Sequence, residues 1–488
     1  MLTIKYVLLV LYLLILVFQA IYCLSSLQLL DIYKKYRKSQ KKDFPKYQLI
    51  DRLPLVTIQL PIYNEFSVVG QLLEGIEQLN YPKERLEIQV IDDSNDDTSK
   101  VIADKVASLN AKGLKIHHIK RLDREGFKAG ALQYGMRYAQ GKFIAIFDAD
   151  FIPDSDFLLA TLPYFENEQV GLVQTHLDFV NKNYSLLTRL QAFQLNLDFA
   201  VELPCRNFSN SFLQFNGTGG IWRREAIETS GGWQGDTLAE DLDLSLRSQL
   251  TGWKIIFMDE ITSTGQLPIE FNSLRSQQFR WAKGKTEVAR KLLPQVWKSE
   301  ISLEQKIDAS LFCLPYIVYV FLFLSGILSF NLSFIEQQVS SMYTWLIYIF
   351  YLSCIIPTFI VYYLGNIYIK QKENVGDRIL NYVWLYACYV IYSISLSRTN
   401  TVAVFQGITQ KKTTFMRTPK FDLTNLDSLS SNQTEVSNNN LTCFTKLIEF
   451  LLGHAFLSIT IFDVMNHSNF LLIHSIYCIS FLRGMALK

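Results

Sequence analysis

The sequence predicts two kinds of structure in one chain: an α/β domain built on an open sheet, and membrane helices on both sides of it. Between residues 56 and 306, short apolar runs rich in β-branched residues alternate with more polar, helix-like segments. Outside this region, apolar stretches reach the roughly 20 residues that cross a bilayer. Ligands of open α/β sheets bind at the carboxyl ends of the strands, so polar residues found there are the first functional candidates.

The composition agrees with a membrane protein of more than one domain. The chain has 488 residues, of which 49% are hydrophobic and only 19% are charged, and its mean hydropathy is +0.13. A soluble enzyme of this length usually carries more charge. The net charge of +2 gives no reason to expect a nucleic-acid partner. Seven cysteines without paired spacing predict neither a disulfide framework nor a zinc site.

The N-terminal residues 1–30 are predicted to form a membrane helix, because only Lys5 is charged before Asp31. A cleaved signal peptide is the alternative, but the apolar run is too long and no small-residue cleavage site is evident. A basic linker covers 31–55. The positive-inside rule keeps this linker, and the α/β domain over 56–306, in the cytoplasm.

Beyond the α/β domain the chain returns to the membrane. No Lys or Arg occurs from Ile307 to Ile369, which predicts a hairpin that crosses the membrane twice. Ile379–Ser395 is also apolar, but a crossing there would export the basic stretch that begins at Lys411. We therefore predict an interfacial or re-entrant helix that continues amphipathically through about Ile408. The predicted order is a membrane hairpin (307–366), an interfacial helix with a gating-like loop (379–422), a flexible loop (423–445) and a second membrane hairpin (446–486).

Acidic residues gather at three points of the α/β domain. Asp92-Asp93 and Asp148-Ala-Asp150 each close an apolar run, and Glu240-Asp241 begins a predicted helix. Carboxylates crowded at one sheet edge repel each other unless a cation or hydrogen-bond donors offset their charge. Oxygen ligands of this kind suit Mg²⁺ or Mn²⁺, which commonly bridges to substrate phosphates. A lone Asp-x-Asp is more often a solvated turn, but its position after an apolar strand favours a functional site.

A further motif, Gln277-Gln-Phe-Arg-Trp281, falls on a predicted helix that approaches the membrane. An arginine can bind a diphosphate, and a tryptophan offers a flat apolar face for a sugar ring. Taken alone, the motif is also typical of an amphipathic helix that docks on a membrane. His117, His118 and His176 lack partners at metal-ligand spacing and are predicted to be structural.

Seven motifs in order resemble family 2 glycosyltransferases, and look closest to the processive cellulose-synthase-like branch with its plant glucomannan and glucan synthases and bacterial relatives. The similarity runs from about Val56 to Gly284 and implies a GT-A type nucleotide-sugar-binding domain with an open mixed sheet, beside a helical membrane region. The motifs are Pro61-Ile-Tyr-Asn-Glu65, Asp92-Asp93-Ser94, Lys128-Ala-Gly-Ala131, Asp148-Ala-Asp150, Phe215-Asn-Gly-Thr218, Glu240-Asp241 and Gln277-Gln-Phe-Arg-Trp281.

The resemblance implies roles for individual residues on the donor side. Asp241 would be the general base, and Asp148 with Asp150 would hold Mg²⁺ or Mn²⁺. A packing role for Tyr63 is the alternative to a binding role. The residues that would bind the nucleotide sugar are Pro61, Tyr63, Glu65, Asp92, Asp93, Lys128 and Asp148.

On the acceptor side, the resemblance implies a second set of residues, and it has two departures. Ala239 stands where a threonine usually precedes Glu-Asp, and Arg417 stands where cellulose synthases typically carry valine. Packing by Trp281 and a plain turn at Phe215-Thr218 are the alternatives. The residues that would bind the acceptor or the diphosphate are Phe215, Gly217, Thr218, Glu240, Gln277, Arg280 and Trp281. The residues that resemble a gating loop are Phe415, Thr418 and Lys420.

We therefore expect a membrane-bound, metal-dependent, inverting hexosyltransferase that moves glucose or mannose from UDP-glucose or GDP-mannose to a growing β-glycan. Synthesis would be processive and coupled to translocation. Transfer of one sugar to a membrane lipid, as in ceramide glucosyltransferases, is the alternative, and a non-catalytic membrane protein is a third reading that the complete acidic set disfavours. The membrane would be the bacterial inner membrane or that of the Golgi, and accessory subunits remain possible.

Overall fold

The computed structural model describes residues 2–39, 53–336, 341–367, 375–411, 420 and 439–486. Within them, an eight-stranded mixed sheet and its helices form one α/β domain, and long apolar helices precede and follow it. The predicted α/β class with an open mixed sheet is confirmed.

The sheet has the strand order β3-β2-β1-β4-β7-β6-β8-β5. β1 is parallel to β2 and β4, β2 is parallel to β3, and β7 is antiparallel to both of its neighbours. The carboxyl ends of the first four strands therefore meet at one edge. The strands are β1 (Val56–Ile62), β2 (Leu86–Asp92), β3 (Ile116–Lys120), β4 (Phe143–Ile146), β5 (Ile152–Pro153), β6 (Val170–Phe179), β7 (Gly220–Arg223) and β8 (Lys254–Gly265).

Helices precede, flank and follow the sheet. Those before it are α1 (Leu2–Ser25) and α2 (Gln28–Ser39). Those of the α/β domain are α3 (Val69–Glu77), α4 (Thr98–Ala111), α5 (Phe127–Met136), α6 (Phe157–Thr161), α7 (Leu186–Leu197), α8 (Leu203–Phe208), α9 (Arg224–Thr229), α10 (Glu240–Leu250) and α11 (Phe271–Lys298). A π-helical turn, Asp198–Glu202, joins α7 to α8, and short 3-10 turns cover Lys83–Arg85 and Leu162–Glu166.

The helices after the α/β domain are α12 (Leu303–Cys313), α13 (Ile317–Ser329), α14 (Leu332–Ile335), α15 (Ser341–Ile367), α16 (Val375–Ile408), α17 (Asn439–Asn466) and α18 (Leu471–Ala486). In the described residues, four helical stretches are long and apolar enough to cross a membrane, and the pair α12–α13, bent by 64°, makes a fifth if it counts as one span. The four stretches are Tyr6–Ser39, Ser341–Asn366, Val375–Ile408 and Leu447–Asn466.

Two apolar clusters lie on opposite faces of the sheet and fix where the strands end. In β4, Phe143 and Ala145 belong to one cluster, whereas Ile144 and Ile146 belong to the other. This alternation is the period of two that a strand buried on both faces requires. A change of strand register by one residue would move each side chain to the opposite face of the sheet, so the two apolar clusters fix the register. The polar residues that follow each strand are thereby kept at the edge of the sheet.

The predicted segments on either side of the domain overlap with helices of the structure. α2 occupies part of the stretch expected to be a linker, and residues 439–445, expected to be part of a flexible loop, begin α17. The rest of these two segments lies largely outside the described residues.

α16 touches the α/β domain near both of its ends. Near the start, Arg189 of α7 donates from Nη2 to Oδ1 of Asn381 at 3.0 Å, and its guanidinium lies 5.7 Å from the ring centroid of Trp384. Just beyond the other end, Nζ of Lys283 in α11 donates to the carbonyl oxygen of Lys411 at 2.5 Å. The domain therefore holds this part of the chain at two points, Asn381 and Lys411, that lie 30 residues apart.

Candidate active site

A cavity of about 980 Å³ joins the carboxyl ends of the strands to the helices that follow the domain. Its lining on the domain side includes Tyr63, Asp93, Lys128, Asp148, Asp150, Asp241 and Trp281. Its lining on the membrane-helix side includes Tyr22, Tyr316, Tyr319, Tyr351, Tyr362, Tyr389 and Tyr477. The structure thus brings together most of the residues that the motifs singled out, and adds tyrosines that the motifs did not.

The loops after β1 and β2 form one wall of this cavity. Asn64 has a positive φ of 54°, and its backbone N–H donates to Oγ of Ser94 at 2.9 Å, which ties the two loops together. The guanidinium of Arg124 lies 3.2 Å from the ring centroid of Tyr63. Asp93 accepts from Nε of Arg121 at 2.7 Å. Pro61 and Glu65 also line the cavity, so this wall presents an aromatic ring, cations and carboxylates together.

Asp92 points away from the cavity, unlike Asp93. Its carboxylate accepts from Nε2 of His118 at 2.8 Å, from the backbone N–H of Ser94 at 2.9 Å and from the hydroxyl of Ser99. Burial raises the pKa of Asp92, but these hydrogen bonds outweigh burial and lower it to about 2. Its position does not fit the expected contact with the nucleotide. Asp92 instead anchors the end of β2, and His118 has the structural role that was predicted for it.

The Asp148-Ala-Asp150 motif follows β4, and each of its two carboxylates forms an ion pair with a lysine. Nζ of Lys128 lies 2.5 Å from Oδ1 of Asp148 and 2.8 Å from the carbonyl oxygen of Gly217. Nζ of Lys420 lies 2.5 Å from Oδ2 of Asp150. Burial lowers the pKa of Lys128, but Asp148 and the other acidic groups nearby outweigh burial and raise it.

The ammonium groups of Lys128 and Lys420 therefore lie beside the two carboxylates that would bind a metal cation. Among the described residues, no three His, Cys, Asp or Glu side chains form a metal cluster. Mg²⁺ sites commonly use one or two carboxylates with substrate phosphates and water, so Asp148 and Asp150 fit a cation shared with a diphosphate. Of the gating-like residues, Lys420 lies at this site, whereas Phe415 and Thr418 lie outside the described residues.

Glu240 and Asp241 begin α10 and face the same cavity. The backbone N–H of Leu242 donates to Oδ1 of Asp241 at 2.7 Å. Burial raises the pKa of Asp241, although this hydrogen bond and nearby lysines oppose the rise. Burial and the charge of Asp241 raise the pKa of Glu240 to about 7. A carboxylate with a raised pKa is a stronger base near neutral pH.

The absence of a side chain at Gly217 leaves space for the side chains of Asp241 and Lys128. Its φ is +81°, and a Cβ at this position would lie 3.2 Å from Oδ2 of Asp241 and 3.3 Å from Nζ of Lys128. The next residue, Thr218, accepts the backbone N–H of Asp148 through Oγ1 at 3.0 Å. This turn therefore connects the loop after β4 to the start of α10.

Phe215 is the member of its motif that the structure places in the core. Its ring is fully buried against Trp222 and Trp233, at centroid distances of 5.9 and 6.1 Å. It does not line the cavity. Its position fits support of the following turn better than the expected contact with the acceptor.

The Gln277–Trp281 motif lies on α11, and Gln277, Arg280 and Trp281 line the cavity. Trp281 is 38% exposed, so its ring is available for stacking. Gly284, one turn later, lets the helix approach the residue before Glu240, because a Cβ there would lie 2.9 Å from Cβ of Ala239. The motif is thereby held beside the acidic pair.

Some residues of the site were not found by sequence reasoning. Arg121 and Arg124 follow β3, whose carboxyl end lies at the same edge as those of β1 and β2, and this neighbourhood was the available signal. Asp198 and Lys285 line the cavity without belonging to a recognised motif.

Comparison with known proteins identifies the family. The model of the family Glycosyltransferase like family 2 matches residues 54–284. Glucomannan 4-beta-mannosyltransferase 7 of Arabidopsis thaliana is 32% identical over 461 residues, which cover 91% of this chain and 80% of the relative. The chain belongs to glycosyltransferase family 2. Probable glucomannan 4-beta-mannosyltransferase 10 of the same plant is 37% identical to this family 2 glycosyltransferase, over 58% of the chain and 51% of the relative.

A solved structure also resembles this family 2 glycosyltransferase. It is a mannosyltransferase from Pyrobaculum calidifontis, in complex with GDP-Man and Mn²⁺. The TM-score is 0.57 at 18% identity, and the match covers 82% of this chain and 100% of the other. At this identity the likeness concerns the fold, and it confirms the predicted GT-A type domain.

Proposed function

We propose that this protein synthesises a β-linked mannose-containing glycan, transferring mannose from GDP-mannose to the end of a growing chain with inversion. The observation that carries this proposal is the cavity, which extends from the carboxylates at the strand ends to the tyrosines of the membrane helices. The names of the relatives as glucomannan mannosyltransferases support mannose as the sugar. UDP-glucose is the competing donor.

The donor would bind across the loops after β1, β2 and β4. The Tyr63 ring and the Arg124 guanidinium offer a stacking surface for the base, and Asp93 offers a hydrogen-bond acceptor beside it. Asp148 and Asp150 would hold Mg²⁺ or Mn²⁺, which offsets the negative charge that develops on the leaving diphosphate. Lys128 neutralises charge at the same place and orients Asp148.

Asp241 would take the proton of the acceptor hydroxyl as that oxygen attacks the sugar. Direct attack of the deprotonated acceptor oxygen on the sugar would be a single displacement, so an α-linked donor gives a β-glycoside. Trp281 is exposed to the cavity and offers its face to the acceptor sugar. Glu240, with its pKa near 7, is a hydrogen-bond partner that can be protonated or charged at neutral pH.

The contacts of α16 support its predicted interfacial position. Arg189 holds α16 near one end and Lys283 holds the chain just past the other, and between these points the helix packs against α11 of the domain and against α13 and α18. With α16 at the interface, Lys420 returns to Asp150 on the same side of the membrane as the domain. This arrangement keeps both in the cytoplasm under the positive-inside rule.

The tyrosine lining supports processive synthesis coupled to export. Tyrosines present flat apolar faces and hydroxyl groups, which suit both the faces and the hydroxyls of sugar rings. A chain extended at Asp241 would enter this part of the cavity as each sugar is added, so elongation and movement into the membrane would be one process.

The test uses isolated membranes that contain the full chain. They are incubated with labelled GDP-mannose or UDP-glucose, in Mg²⁺, in Mn²⁺ and in chelator, and the products are sized and digested with an endo-β-mannanase. We expect a polymer from GDP-mannose that needs the metal and is degraded by the enzyme. Asp241→Asn abolishes it, whereas Glu225→Gln, an exposed carboxylate of α9, does not. A short product extractable into organic solvent would refute polymer synthesis and assign transfer to a lipid.

A further inference from the structure

Two charged side chains in the cavity, Asp198 and Lys285, belong to none of the motifs. Asp198 is the first residue of the π-helical turn between α7 and α8, and Lys285 lies one turn beyond Trp281 on α11. Both line the cavity. Single π-helical turns are rare and are frequently found at functional sites.

Neither side chain makes a direct polar contact with the residues that the structure describes. No hydrogen bond or ion pair joins the Asp198 carboxylate to a protein group, although Glu202 in the same turn accepts from Nε of Arg206 at 3.0 Å. The Lys285 ammonium likewise has no hydrogen bond and lies 5.7 Å from the ring centroid of Phe312. Both side chains are half-buried in the cavity wall, and a partly buried charge gains from a polar ligand, so both groups favour one there.

The pair neighbours both Asp241 and the tyrosines. The Lys285 ammonium lies close enough to Asp241 and to Asp198 to oppose the rise in the pKa of both carboxyl groups. The Asp198 carboxylate lies in the electrostatic neighbourhood of Tyr316 and Tyr389. All of these residues line the same cavity. Burial and the charge of Glu202 raise the pKa of Asp198 to about 7.

We propose that Asp198 and Lys285 form an acceptor subsite that holds hydroxyl groups of the glycan one or two sugars behind the reacting end. The carboxylate accepts hydrogen bonds from sugar hydroxyls and the ammonium donates to their oxygens, so the pair grips a neutral, hydroxyl-rich ligand from both sides. A neutral glycan brings no charge of its own, and its hydroxyl groups can both donate to Asp198 and accept from Lys285. The inference rests on the proposed function and adds to it a device that retains the chain between successive transfers.

The test measures chain retention in the full-length protein. Asp198→Asn and Lys285→Met are compared with wild type and with Lys298→Met, an exposed lysine on the same helix. The readouts are the mean product length, the concentration of manno-oligosaccharide that half-saturates elongation, the KM for GDP-mannose and the rate of donor hydrolysis to free mannose. Hydrogen bonds to charged groups contribute enough to change binding about tenfold.

We expect each variant to shorten the product and to raise the half-saturating oligosaccharide concentration by about tenfold. Donor KM and donor hydrolysis stay within twofold, and Lys298→Met matches wild type throughout. Because neither charge has a hydrogen-bond or ion-pair partner among the described residues, their removal leaves the melting temperature unchanged, whereas a purely structural pair would lower it.

Three other results would contradict either the acceptor subsite or the proposed function. Wild-type product length and oligosaccharide affinity in both variants would refute the subsite while the proposed function stands. A parallel loss of donor affinity or a lowered melting temperature in both variants would assign the pair to folding or donor binding. Failure of the wild-type protein to elongate any oligosaccharide would refute the proposed function itself.

Discussion

Gly217→Ala tests how closely the turn before β7 is fitted to the reacting groups. The backbone at this residue has a φ of +81°, and a left-handed conformation costs a residue with a Cβ about 1–2 kcal/mol. For a domain of this size, that loss lowers the melting temperature by roughly 2–8 °C. The added methyl group also lies 3.2 Å from Oδ2 of Asp241 and 3.3 Å from Nζ of Lys128, so one of these groups must move by a few tenths of an ångström.

The displacement affects the rate more than the stability. Misplacing a reacting group by about 1 Å costs roughly 100-fold, so we expect kcat for glycan synthesis to fall by about 10- to 100-fold. Gly113→Ala is the matched control, because Gly113 has a φ of +87° with no atom within 4 Å of the added methyl group.

Initial rates at saturating donor and melting temperatures in detergent are measured for both variants. Both are expected to lose similar stability, and Gly217→Ala alone to lose activity. The reasoning is refuted if Gly217→Ala keeps the wild-type kcat, or if Gly113→Ala loses as much activity as Gly217→Ala.

Three further predictions concern charged groups. Asp92→Asn removes a charged hydrogen-bond acceptor, so the free energy of unfolding falls by about 2 kcal/mol while donor KM is unchanged, whereas Asp93→Asn raises donor KM. Because the pKa of Asp92 is about 2, its contribution to stability is present above an ordinary aspartate pKa and disappears in acid melts as the pH falls towards 2. Glu449→Gln removes the counter-charge of the buried Arg275 guanidinium, which lies 3.0 Å from Oε2 of Glu449. We expect the melting temperature to fall by an amount equivalent to about 3–5 kcal/mol, and replacement of both residues by Met to recover part of that loss. Because burial raises the pKa of Asp241, the acidic limb of the kcat/KM profile lies at higher pH than for an ordinary aspartate, and a limb at the ordinary value would contradict its role as the base.

Most of the parallel part of the sheet was predictable because β1, β2 and β4 are largely apolar runs that lead into polar residues. β5, β7 and β8 were not predicted. β5 and β7 are two and four residues long, and β8 carries Asp259 and Glu260, so none of them has the composition of a buried strand. Their places are set by pairing with distant strands, which a local pattern does not record.

Neighbouring residues at a strand end show a second limit of sequence reasoning. Successive side chains point to opposite faces of a strand, so of Asp92 and Asp93 only one can reach the cavity. The sequence predicts the same binding role for both residues. His118 of the adjacent strand, which forms a hydrogen bond with Asp92, is the partner that distinguishes them in the structure. Phe215 is a similar case, because its surroundings, Trp222 and Trp233, follow it in the chain without any motif that links them.

The contact between Lys420 and Asp150 has a consequence for the order of events during synthesis of the protein. The two residues are 270 positions apart, and α12 to α16 lie between them. Chains fold from the N-terminal side as they emerge, so the sheet and its carboxylates can form long before this lysine leaves the ribosome. Lys420 reaches Asp150 only after those helices have been made and the chain has returned to the domain. A nascent chain that ends before Lys420 therefore has the carboxylates of the strand ends without this counter-charge, and we expect activity to begin only once the following helices have been inserted.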